Sequence, residues 1–185
     1  MSNSDNHALC YNKATERRGI FLSKAVILER AIDLYIAGHF CKEEEKKSEL
    51  LDLIIATKRM IFENKVQVFK VLGERHERGF LHNNPKLIND IISIIEHRNI
   101  LAHYSQFSGG EALDKFVESG IITFVKFQNT RNFLEYKPED LDIMEILATD
   151  CATKVIQLIG SKKASPSMDN PKRLGNSHSN KEETT

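Results

Sequence analysis

Apolar positions recur with a helical period along most of this chain. From Thr15 to Phe40, the residues Phe21, Ala25, Leu28, Ile32, Tyr35 and Ile36 fall in one band with Ile20, Ile27, Ala31 and Leu34. Glu29 and Asp33 lie at an edge of that band. A second helix is expected from the charged stretch Lys42 to Lys47 as far as Arg78, carrying Leu50, Leu51, Leu53, Ile54, Ile61, Phe62, Val66, Phe69 and Leu72. That is long for a globular helix, so a break is expected near Ala56 to Met60 or at Gly73. Asn84 before Pro85 reads as an N-cap with proline at the first helical position, opening a third helix that runs to about Phe107 and stops at Gly109-Gly110.

The period then changes. Gly120 to Phe127 and Asn132 to Tyr136 are β-branched and aromatic, and with Asn129-Thr130-Arg131 between them they predict a small β-hairpin. Pro138, with Glu139 and Asp140 in the first turn, opens a last helix ending at Gly160. The expected fold is mainly α: a four-helix up-down bundle with a β-hairpin before the final helix. Residues 1–12 are polar and expected to be unstructured, residues 13–160 form the domain, and residues 161–185 form a polar, disordered tail.

Composition narrows the function classes. Lys plus Arg and Asp plus Glu are equal at 26 each, so the formal net charge is zero and no overall basic excess points to nucleic acid. Cys10, Cys41 and Cys151 are odd in number and widely spaced, which argues against a disulfide framework or a zinc site and suits a reducing cytoplasm. No apolar run approaches membrane-spanning length and the N-terminus lacks a signal-peptide core, so a cytoplasmic protein without membrane contact is expected.

The chemistry concentrates in Ile94 to Tyr104. Leu87, Ile88, Ile91, Ile94, Ile95, Leu101 and Ala102 define the expected buried face of the third helix, and Arg98 points into its middle. A buried, unpaired guanidinium is very costly, so Arg98 needs a carboxylate, a cleft or a subunit interface; Glu29 and Asp33 are the expected partners. His103 lies four residues after Asn99, with Glu96 a turn further back. Arg98 and His103 are five apart and diverge around the axis, which favours a composite site across a two-fold axis. Taken alone, the spacing is better explained by an ion pair that fixes register and a histidine complementing a helix dipole.

Arg98-Asn99-Ile100-Leu101-Ala102-His103 resembles the signature of the HEPN family: arginine, a polar residue, three variable residues and histidine. Glu29 within LERAIDLYIAGHF resembles that family's opening helix, and Ile61-Phe62-Glu63-Asn64-Lys65 a phenylalanine-and-lysine stretch of its second helix. The resemblance implies a homodimer with juxtaposed motif helices and, in many members, a metal-independent endoribonuclease needing no cofactor. Some members are toxins or defence effectors held by a separate antitoxin; others are non-catalytic dimerisation or binding modules. In the enzymatic case Arg98, Asn99 and His103 would be catalytic. Glu29 or Asp33 would hold Arg98, and Glu96 would bias the histidine. Lys65, Arg75, Arg78 and Tyr104 are candidate RNA contacts.

Overall fold

The computed structural model describes residues 2–127 and 131–164. Residues 128–130 of the expected hairpin turn and residues 165–185 of the expected tail lie outside them. The chain forms α1 (Asn3–Phe40), α2 (Glu44–Leu50), a π-helical turn (Leu51–Ile55), α3 (Phe62–His76), α4 (Arg78–Asn83) and α5 (Leu87–His103). It continues as β1 (Ser105–Phe107), α6 (Glu111–Ser119), β2 (Ile122–Phe127), β3 (Arg131–Tyr136) and α7 (Pro138–Ala164). The protein is thus mainly helical, with a small three-stranded antiparallel sheet of order β1-β2-β3.

The core follows from the apolar stripes. α1 packs along α7 and also touches α3 and α5, while α5 touches α3 and α7. Phe21, Leu28, Ile32, Phe69, Ile91, Ile94, Leu101, Leu141 and Val155 are essentially inaccessible to solvent. Burying each such side chain contributes about 1.5–3 kcal/mol before the chain entropy is counted. β2 is central in its sheet, and Phe124 and Val125 on its two faces are both buried. At one end of the α1–α7 contact, Arg17 bridges Asp142 and Glu145. Among the described residues no helix is long and apolar enough to cross a membrane.

Several sequence expectations need correction. Residues 3–12 are not an unstructured leader but the first turns of α1. A capping box starts the helix, Ser2 Oγ accepting from Asp5 N–H while Asp5 Oδ2 accepts from Ser2 N–H. Cys10 and Ala14 are then buried, and Gln106 donates to Cys10 Sγ at 3.4 Å. Small buried side chains among polar ones leave little periodic signal, so this segment is silent in the hydrophobic pattern. Ile20 and Ile27, counted in the apolar band, are exposed.

The long second helix breaks between Ile55 and Phe62, in the expected region. Asn84 is not the N-cap of α5; its Nδ2 donates to Phe80 O and so finishes α4. α5 ends at His103 rather than Phe107, because Ser105–Phe107 leave the helix to pair with β2 as a third strand. Gly110, at φ +52°, starts the unexpected α6 instead of terminating the preceding helix. α7 continues past Gly160 to Ala164.

Candidate functional site

The buried stripe Leu87, Ile91, Ile94, Ile95 and Leu101 clamps α5 against its neighbours and thereby orients the residues around it. Ala102, expected on that stripe, is exposed. Arg98 falls between Leu87 and Ile91 on the wheel but is only half-buried. Its Nη1 donates to Asn99 Oδ1 at 3.0 Å. Asn99 Nδ2 in turn donates to Glu63 Oε1 on α3 at 3.0 Å. Arg98, Asn99 and Glu63 therefore form one chain of hydrogen bonds across the α3–α5 seam, and among the described residues Arg98 has no ion-pair partner.

The expected partners of Arg98 are engaged elsewhere. Lys65 Nζ donates to Glu29 Oε1 at 2.6 Å and to Asp33 Oδ2 at 3.2 Å, and it lies 3.0 Å from Asp33 Oδ1 as an ion pair. Lys65 is 3% exposed and Asp33 4% exposed, so this is a buried cation between two carboxylates. Burial pushes the Asp33 carboxyl above its ordinary range, and the Lys65 hydrogen bond and charge pull the other way. Lys65 is consequently not available to RNA. The cation that meets Glu29 and Asp33 at that edge of α1 is Lys65 of α3, and not Arg98 of α5.

His103 is the last residue of α5 and is exposed. Among the described residues it makes no hydrogen bond or ion pair, and within one chain it is not brought to Arg98. Tyr104 follows; its carbonyl accepts from Arg18 Nη2 at 2.9 Å, and Lys126 Nζ lies 5.7 Å from its ring centroid. Arg75 is exposed on the last turn of α3. Arg78 is exposed too, but its Nε donates to Glu74 O at 3.0 Å, so part of its donor capacity finishes that helix.

Glu96 acts on a different histidine from the one anticipated. His97, half-buried, shares a 3.2 Å hydrogen bond with Tyr136 Oη on β3. Burial lowers its pKa from the ordinary 6.5, while the charges of Glu96 and Asp140 raise it. Tyr136 is pushed up to about 12, chiefly by burial, then by Tyr104 and Asp140. His97 is therefore neutral at neutral pH. Sequence reasoning missed Glu63, Gln67, His97 and Tyr136 as members of this region. His97 was adjacent to the motif and on view; Glu63 and Tyr136 become relevant only through packing of α3 and β3 against α5.

Beside the Arg98–Asn99–Glu63 chain lies a cavity of about 220 Å³, lined by Glu63, Val66 and Gln67 from α3 and Ile92, Ile95, Glu96 and Asn99 from α5. Among the described residues, no three His, Cys, Asp or Glu side chains are grouped as metal ligands. Chemically, this end of α5 offers a half-buried cation without a counter-ion among the described residues, an amide fixed between it and a carboxylate, and an exposed imidazole. Comparison with protein-family models, curated proteins and solved structures gave no match to this chain.

Proposed function

We propose that α1, α3, α5 and α7 are the four helices of a HEPN-type bundle and that the protein is a metal-independent endoribonuclease, active as a homodimer. The observation that carries this reading is the state of Arg98: half-buried, without a carboxylate partner among the described residues, and on the same helix end as the exposed His103. A guanidinium in that condition is stabilised by an incoming anion, and phosphate matches its forked donors. In the proposed reaction a ribose 2′-oxygen attacks phosphorus as the P–O5′ bond breaks. One copy of His103 takes the 2′-hydroxyl proton and the other delivers a proton to the leaving 5′-oxygen. Arg98 stabilises the charge gathering on the phosphate oxygens, and Asn99, held by Glu63, keeps Arg98 in position. A composite site of two chains also accounts for the separation of Arg98 and His103 within one. A toxin or defence role restrained by a separate antitoxin is part of the same proposal and rests on the family resemblance.

The second reading is a non-catalytic HEPN module that uses α5 for dimerisation or partner binding. It is favoured by the zero net charge and by the lack of any contact between Arg98 and His103 in one chain. Cleavage of a mixed RNA substrate in EDTA separates the two, with light scattering of each protein. The enzyme reading expects cleavage by the wild type and a loss of about 100-fold or more in His103→Ala with an unchanged oligomer. A folded wild-type dimer that cleaves none of many RNAs overturns it in favour of the module.

A further inference from the structure

The cavity between α3 and α5 has a composition that the phosphate chemistry of Arg98 does not require. Its floor is apolar, with Val66 and Ile95 buried and Ile92 at its edge. Its rim carries the carboxylates of Glu63 and Glu96 and the amides of Gln67 and Asn99. Glu63 accepts from Asn99 through Oε1 only, so its second oxygen is open. Among the described residues, neither Gln67 nor the Glu96 carboxylate makes a hydrogen bond or ion pair. An apolar slot edged by two carboxylates with open oxygens repels a phosphate but suits a flat, hydrogen-bond-donating ring.

We infer that this cavity is a base subsite that selects guanine in the nucleotide whose phosphate lies on Arg98; the inference rests on the ribonuclease reading for the position of that phosphate. Guanine is the one standard base with two adjacent donors, N1–H and the 2-amino group, on its pairing edge, and a carboxylate accepts both side by side. Glu63 presents such a carboxylate, with Oε2 open and Oε1 keeping a second lone pair beside its bond from Asn99. Adenine and cytosine each set an acceptor beside their amino donor, and uracil sets carbonyl acceptors on both sides of its single N–H, so each would oppose an acceptor to the Glu63 oxygens. The Gln67 amide can donate to guanine O6. A volume of about 220 Å³ is below the roughly 300 Å³ at which drug-sized pockets begin, a size suited to one base inserted without its sugar. The chain Arg98–Asn99–Glu63 ties the two halves together, so phosphate and base recognition share one rigid hydrogen-bonded frame.

The test is titration of the full-length protein with the 3′-monophosphates of guanosine, adenosine, cytidine and uridine, and separately with arginine amide, followed by calorimetry and amide NMR shifts. The guanosine nucleotide is expected to bind about tenfold or more tighter than the others. Glu63→Gln, an isosteric change at an exposed position, should bring it down to their level, whereas Arg98→Met should weaken all four alike. Equal affinity for the four nucleotides, or none measurable on folded protein, overturns the inference. So does arginine amide binding as tightly as the guanosine nucleotide and losing affinity with it in Glu63→Gln, which would make the cavity a cation site for a basic partner. Guanine preference without RNA cleavage keeps the subsite and removes the enzyme; cleavage without guanine preference does the reverse.

Discussion

Lys65 shows most sharply how a single side chain depends on what packs over it. Its ammonium is held between Glu29 and Asp33 in a site with almost no solvent access. Removing one member of a buried ion cluster strands the others, which typically costs about 3–5 kcal/mol. Lys65→Met is therefore expected to lower the unfolding free energy, read from urea titration, by that order, and Asp33→Asn in the same background to recover part of it. Unchanged stability in Lys65→Met would instead return Lys65 to the surface, where an RNA contact belongs. The need of Glu29 and Asp33 for a cation was legible from their place at the edge of an apolar band. Which cation answers it was not, because Arg98 and Lys65 are both plausible in a linear reading and only the contact of α3 with α1 decides. Lys65 did carry a warning: it lies three residues after Phe62 and four before Phe69, inside the buried stripe of its own helix.

Elements were legible where long apolar side chains repeat and illegible where a few residues make a turn. The buried stripes of α3 and α5 and the strands around Phe124 and Leu134 follow the hydrophobic pattern. β1 and α6 are three and nine residues long, too short for a period to stand out, and the glycine pair before α6 read as an ending. Glycines at these junctions behave differently, which makes them testable. Gly120 ends α6 at φ +68°, donates its N–H to Phe116 O at 2.8 Å, and a Cβ there would meet Pro138 Cγ at 3.1 Å. Gly120→Ala should cost about 1–2 kcal/mol from the left-handed backbone alone. Gly19 lies in the interior of α1, exposed, with nothing within 4 Å of an added Cβ. Gly19→Ala should raise stability by about 0.5–1 kcal/mol, since helical glycine carries that entropic penalty. Chemical denaturation of both variants checks the pair; a stabilising Gly120→Ala would mean that α6 is not capped in this way.

At the scale of the whole molecule, helices and sheet meet at His97, where α5 touches β3 through Tyr136, whose ring packs edge-on against Phe124 in the core. This contact gives stability a pH dependence whose sign can be worked out. Burial lowers the pKa of His97 in the folded state below the ordinary 6.5, although Glu96 and Asp140 act in the opposite direction. Below that ordinary value the unfolded chain binds a proton that the folded chain resists, so the unfolded state holds more protons and stability falls as pH falls. The contribution is therefore intact above about pH 6.5 and is lost as pH drops from there toward the lower, folded-state value. Asp33 works the other way: its folded pKa is raised, so acid protonates it first in the folded state, and the total curve mixes the two. Subtraction isolates His97. Urea midpoints of the wild type and His97→Gln, measured from pH 7.5 to 5, should converge as pH falls, because only the wild type carries the acid-labile term. Parallel curves would mean that His97 titrates alike in both states and that its hydrogen bond to Tyr136 does not couple protonation to the joint between α5 and the sheet.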